Sequence, residues 1–428
     1  MAARRIAIIG AGPIGLEAAL CGVQAGFDVC VFDRGSVAQS VRDWGHVRLF
    51  SPFEMNSSER GRDAVRRGPH RAAMPMEGEY VTGREFVDRY LLPLSRTPEL
   101  AGRIHEQAEV FAIGRSRHLK GDLIGDPARG HDPFQMLVRY AQGSDESLSA
   151  DVVLDCSGTY PHHNWMGAGG IPCVGELACT GRIDYGLPDI TKAERPRFSG
   201  KTTLVVGGGY SAATAIVELA ALAAANPATH ILWVTRSDQL PPLRRFENDP
   251  LAERDRLTAR ANDLVITGQQ AINHGHSESY PVKFLPDRVV CAIEYQPELS
   301  KFLVVLDAAA APSAGAASRV PQTTEQLIVD NVIANVGYRP DRSLYEELQV
   351  HECYATQGPI RLAAALLGER TSADCLSQTS HGASTLTNPE PGFFILGAKS
   401  YGRDSRFLMR VGLEQVRDVF VMLGAETH

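Results

Sequence analysis

Two short stretches constrain this chain more than anything else in it: "AIIGAGPIGLEAA", beginning at Ala7, and "VVGGGYSAATA", from Val205 to Ala215. Each runs from an apolar β-branched segment through a glycine turn into a helical pattern, and a second apolar strand follows. That is the pattern of a βαβ unit with a tight strand-to-helix turn. The first glycine of each (Gly10, Gly207) permits the turn, and the second (Gly12, Gly209) lets backbone N–H groups approach a phosphate. The third position, Gly15 in one and Ala212 in the other, is small so that helix packs close on strand. Pro13 and Ile14 in the first stretch, and Ser211 in the second, lie at the helix N-terminus. Unpaired donors and a partial positive charge there favour an anion.

The strands that close the two units end differently. The first ends "VCVFDRG", placing Asp33, with Arg34 beside it, where a carboxylate accepts from the hydroxyls of an adenosine ribose. The second ends "LWVTRSD", placing Arg236 at the matching tip. A carboxylate suits a free 2′-hydroxyl and a guanidinium suits a 2′-phosphate, so the second site is expected to take NADPH. Asp238, two residues on, keeps NADH open.

Elsewhere, Thr82 and Glu85 form a capping-box pair, and the stretch from Val110 to Leu154 reads as hairpins ending in the strand "DVVLDCSG". Residues Phe246 to Asn273 read as a polar helix, and Ala308 to Glu325 as a small-residue loop. "QLIVDNVIAN" reads as one strand. The end of the chain reads as strand, loop and a long amphipathic helix from about Ser405. A length of 428 residues leaves room for two domains, and a net charge of −7 gives no reason to expect nucleic acid. Without an apolar run of about eighteen residues the expected location is the cytoplasm, with no membrane partner. The cysteines show no CxxC spacing and read as reduced thiols. Scarce lysine beside abundant arginine and alanine reads as the codon bias of a GC-rich bacterium.

Two dinucleotide sites of unlike type, with the motifs around them, resemble the two-dinucleotide-domain flavoproteins. These include flavin-containing monooxygenases and pyridine nucleotide–disulfide oxidoreductases. "DCSGTYP" (Asp155 to Pro161) resembles the family's crossing between domains, "ANVGYRPD" (Ala334 to Asp341) the return crossing, and "GFFILGAK" (Gly392 to Lys399) its last FAD motif. Ala398 stands where that motif usually carries an aspartate. The resemblance implies an α/β fold of two Rossmann-like domains, with an NAD(P)H domain (161–334) inserted into a discontinuous FAD domain (1–160 and 335–428). It implies FAD held by the first turn and NADPH, or NADH, by the second. Ser157, Gly158, Gly397, Lys399 and Trp44 join the candidate cofactor-binding residues, and a homodimer fits the family. No metal site is expected.

The resemblance leaves the branch open. A disulfide reductase needs a cysteine pair, for which Cys173 with Cys179, or Cys156 with Cys353, are the candidates. "SVRDWGHVRLFSP" (Ser40 to Pro52), with Trp44, follows the monooxygenase layout, while "ACTGRIDYGLPDI" carries Gly181 and Tyr185 but no histidine in place of that branch's linker fingerprint. Candidate pocket residues are Tyr160, His162, His163 and Trp165, with Arg403 and Arg406 in "KSYGRDSR". "NHGH" (Asn273 to His276) has a short His-x-His spacing. The expected function is an NAD(P)H-consuming FAD monooxygenase that uses O2 to oxygenate a small-molecule nitrogen, sulfur or other soft nucleophile. A reductase serving a quinone or protein acceptor, and a non-catalytic nucleotide sensor, are the alternatives.

Overall fold

The computed structural model describes residues 3–69, 71–273, 280–308, 325–368 and 380–425. The chain divides into two compact units: Met1–His162 with Tyr338–His428, and His163–Gly337. In chain order the first unit contributes β1 (Arg5–Ile9), β2 (Asp28–Phe32), β3 (Ile104–His105), β4 (Ala108–Arg115), β5 (Phe134–Tyr140), β6 (Asp145–Ala150) and β7 (Val152–Asp155). The second contributes β8 (Thr202–Val206), β9 (His230–Val234), β10 (Val282–Leu285), β11 (Arg288–Gln296), β12 (Lys301–Ala308), β13 (Glu325–Val329) and β14 (Asn331–Ala334). The chain then returns to the first unit for β15 (Phe393–Ile395).

The first unit is built on a parallel sheet in the order β15-β7-β1-β2-β3. Its inner strands "RIAII" and "VVLD" are buried almost throughout, because both faces are covered. One face carries the helix Pro13–Gln24, which packs on the terminal helix Met409–Met422. The other face carries the antiparallel sheet β4-β5-β6. There "FQMLVRY" alternates, with Phe134, Met136 and Val138 turned inward. The second unit has a parallel sheet, β10-β9-β8-β14, and an antiparallel one, β11-β12-β13. Both halves of the Thr82–Glu85 capping box are present.

Three expectations need correction. The helix expected from Phe246 starts at Ala252, where Asp249 accepts from the Leu251 N–H and pairs with Arg254. The terminal helix starts at Met409, because the Asp404 carboxylate holds the Arg406 backbone and guanidinium in a turn. The single strand expected near Ile328 is two: β13 pairs antiparallel with β12, and β14 parallel with β8. The hairpins expected between Val110 and Leu154 are present as the antiparallel sheet β4-β5-β6, and the strand expected at their end is β7. The small-residue loop (309–324), His274, His276 and Cys375 lie outside the described residues. Among the described residues no helix is long and apolar enough to cross a membrane.

Candidate nucleotide sites

In the first unit, β1 runs into Gly10, whose φ of +100° is open to glycine. A Cβ there would stand 2.7 Å from the Cys156 carbonyl oxygen, and one on Gly15 would overlap the carbonyl oxygen of Gly10. A Cβ on Gly12 would meet nothing within 4 Å. The protein itself therefore requires the first and third glycines, whereas the second leaves space. Gly12 is also the N-cap and supplies no side-chain hydrogen bond, and Pro13 begins the helix where an N–H is dispensable. The first turn thus keeps the donors that suit a phosphate.

Asp33, just past β2, ties into this turn. Its Oδ2 accepts from the Ala11 N–H at 2.7 Å and its Oδ1 from Gly35 at 2.8 Å. Burial raises its pKa, opposed by those two N–H groups and by the exposed Arg34. A carboxylate has about four acceptor positions, so capacity for two hydroxyls remains.

Past β7 the crossing is organised by a buried ion pair. Lys399 Nζ donates to Asp155 Oδ2 at 2.6 Å, and both side chains are fully buried. Lys399 also donates to Ser157 Oγ at 3.0 Å, and that hydroxyl donates to Asp155 Oδ1 at 2.6 Å. Only Ser157 is exposed, so Lys399 reaches the surface through it rather than directly. Gly158 and Gly397 both have φ of +71°, and Gln415 of the terminal helix accepts from the Gly397 N–H at 2.9 Å. Gly10, Asp33, Ser157 and Gly397 follow the carboxyl ends of β1, β2, β7 and β15, the edge at which open α/β sheets bind ligands. The Trp44 ring packs where a Cβ on Gly83 would stand, which makes it part of the wall of the first core.

The other pocket candidates divide between the units. Tyr160 lies 5.0 Å from Tyr338, and His162 pairs with Asp341 at 3.3 Å. Burial lowers the His162 pKa, helped by Arg34, Lys399 and Arg339 and opposed by Asp341. In the second unit His163 stacks on Tyr185 at 3.5 Å with Trp165 edge-on. The Tyr185 hydroxyl donates to Glu176, a buried carboxylate that also accepts from the N–H groups of Met166 and Cys173. Sequence spacing gave no sign of Glu176. Arg403 donates to Gln357 and Arg406 pairs with Asp404.

The second unit repeats the first turn's logic. A Cβ on Gly207 (φ +141°) would overlap the Asn335 carbonyl oxygen, while one on Gly209 would meet nothing within 4 Å. Gly209 is the N-cap of the helix Tyr210–Ala225 without a side-chain cap, Ser211 sits in its first turn, and Ala212 is fully buried against the strand. Trp233 Nε1 donates to the Gly207 carbonyl at 2.8 Å. Arg236 stands exposed just past β9.

Residues 7–119 match the family model for pyridine nucleotide-disulphide oxidoreductases. No curated protein matches the sequence. Bacillithiol disulfide reductase Bdr (YpdA) from Bacillus cereus superposes with a TM-score of 0.65 at 16% identity, covering 99% of each chain. The cadaverine monooxygenase DfoA of desferrioxamine biosynthesis from Erwinia amylovora, solved bound to FAD, gives 0.62 at 12% identity, covering 100% of this chain and 95% of that one. The fold is that of the two-dinucleotide-binding-domain flavoproteins. Ornithine hydroxylase PvdA from Pseudomonas aeruginosa, in its reduced form, gives 0.60 at 16% identity over 99% of each chain. Reductases and oxygenases thus share this architecture, and the thiols become the informative groups.

Cys21, Cys30, Cys156, Cys173, Cys179, Cys291 and Cys353 are all free. Burial pushes the Cys21 thiol up to about 11. Burial and the neighbouring Glu176 push Cys173 up to about 12. Cys156 is raised further by burial next to Asp155. Raised thiols are poor nucleophiles.

Proposed function

We propose that this protein is an FAD-dependent, NAD(P)H-consuming oxidoreductase of monooxygenase type, which uses O2 to oxygenate a small-molecule nitrogen, sulfur or other soft nucleophile. The two-nucleotide part of the reading is carried by the two glycine turns, each filled by protein at its first and third positions and open at its second. In the first unit the turn at Gly10, Gly12, Pro13, Ile14 and Gly15 fits the pyrophosphate of FAD. Asp33 fits the ribose hydroxyls, and Ser157, Gly158 and Gly397 fit the approach of the flavin end. Bound FAD would supply a two-electron carrier between nicotinamide and oxygen. In the second unit Gly207, Gly209, Ser211 and Ala212 fit the nicotinamide dinucleotide, and Arg236 favours NADPH. Burial that raises the Cys156 and Cys173 thiols speaks against a redox dithiol built on either of them.

A second reading has its own support. The family match over residues 7–119 and the likeness to Bdr, a bacillithiol disulfide reductase, support a reductase, whose acceptor in this reading is a quinone or a protein. Stopped-flow absorbance separates the two. Protein reduced by NADPH and mixed with oxygen should show a long-lived near-ultraviolet band before the oxidised flavin returns. Return without that band, together with fast quinone reduction, would establish the reductase instead. Failure of NADPH and NADH alike to bleach the flavin would point to a sensor.

A further inference from the structure

We infer that Arg288 is a second specificity residue for the 2′-phosphate of NADPH, an inference that rests on the second glycine turn being the nicotinamide nucleotide site. Arg288 lies more than fifty residues after Arg236 in the sequence, yet the backbone sets the two side by side. Its N–H donates to the Thr235 carbonyl at 3.0 Å, and the Asp287 N–H donates to Ser237 at 3.2 Å. The segment bearing Arg236 is itself pinned. Thr235 Oγ1 donates to the Ser237 carbonyl at 2.9 Å, and Ser237 Oγ accepts from the Gln239 N–H at 3.1 Å.

The turn that delivers Arg288 is unusual. After β10 ends at Leu285, Asp287 takes φ of +53°, a left-handed conformation uncommon outside glycine, though aspartate is among the residues that tolerate it. Arg288 is half-buried, and its Nη1 donates to the Asp287 carbonyl at 2.9 Å, which fixes part of the guanidinium and leaves further donors. Two cations held at one edge of a sheet repel each other, and a phosphate between them relieves that repulsion. The position also suits a dinucleotide. Its pyrophosphate would lie at the helix N-terminus after β8 and its adenosine over the end of β9. A 2′-phosphate would then project toward β10, which pairs with β9 and ends just before this turn.

Calorimetric titration of the full-length protein with NADP+ and with NAD+ tests this without turnover. Arg288→Ala should weaken NADP+ roughly ten-fold, as expected for one charge-assisted contact, and leave NAD+ unchanged. Arg236→Ala should behave likewise, and Arg288→Lys should fall between wild type and Arg288→Ala. If Arg288→Ala does not give folded protein, Arg288→Gln replaces it with the same expectation. Wild-type NADP+ affinity in the Arg288 variants, with Arg236→Ala weakened, would remove Arg288 and leave the nucleotide site standing. Equal weakening of both nucleotides would make Arg288 structural and overturn the inference. Wild-type protein that binds both nucleotides equally would overturn the inference while leaving the site standing, and wild-type protein that binds neither would overturn the site reading itself.

Discussion

At the scale of single residues, Gly12 and Gly15 differ in what they serve, although they look alike in the motif. A Cβ on Gly12 meets no protein atom within 4 Å, whereas one on Gly15 collides with the Gly10 carbonyl. Gly12→Val should therefore fold with unchanged melting of the flavin-free protein but purify colourless, because the branch occupies the space left for pyrophosphate. Gly15→Ala should lower the melting temperature of flavin-free protein, at a cost of roughly 1–3 kcal/mol for overpacking. Full flavin content in Gly12→Val would refute the placement of the cofactor. Lys399→Met makes a separate prediction. It strands the Asp155 carboxylate in a buried site, and loss of one member of such a pair costs about 3–5 kcal/mol. The variant should unfold at markedly lower denaturant, while Lys399→Met with Asp155→Leu should recover much of the loss. The glycines were legible because a steric rule acts over six consecutive residues. The Lys399–Asp155 pair was not, since its partners are 244 positions apart and no local pattern couples them.

At the scale of elements, the strands and helices of the two βαβ units were legible from apolar runs and glycine turns. The boundaries set by side-chain bonds, such as Asp249 before Ala252, were not. The helix Tyr210–Ala225 carries one group whose ionisation opposes its packing. Burial, with Asp189 beside it, raises the Glu218 carboxyl to about 7 from an unfolded value near 4.5. The folded state thus holds this proton more tightly than the unfolded state. The stability it contributes is whole below pH 4.5 and is lost as pH rises through about 7. Wild-type melting temperature should accordingly fall on going from acid to mildly alkaline buffer, by a few degrees from this group. Glu218→Gln should flatten that slope and melt higher than wild type on the alkaline side. A slope unchanged by the substitution would show that the carboxyl is solvated and not raised.

At the scale of the whole molecule, the two units differ in how their cores are sourced. Both hydrophobic clusters of the second unit, one around Trp233, Ile216 and Val265 and one around Val304, Val332 and Ile293, draw every member from residues 163–337. The larger cluster of the first unit instead joins Ile8, Leu16 and Val31 to Leu396, Val411, Val419 and Phe420, from the far end of the chain. Its central sheet likewise needs β15 beside β7. Residues 163–337 are a continuous segment of ordinary domain size with its own core, which is the condition for folding alone. Expressed by itself, this segment should melt cooperatively, remain colourless, and bind NADP+ in titration calorimetry. Residues 1–162 alone lack the strand and helix that complete their core, and should show no cooperative transition and no flavin. Supplying 338–428 as a second polypeptide should restore both. A 1–162 fragment that folded and took up flavin unaided would show that the terminal strand and helix are accessory, and a 163–337 fragment that failed to melt cooperatively would show that its two clusters do not suffice as a core.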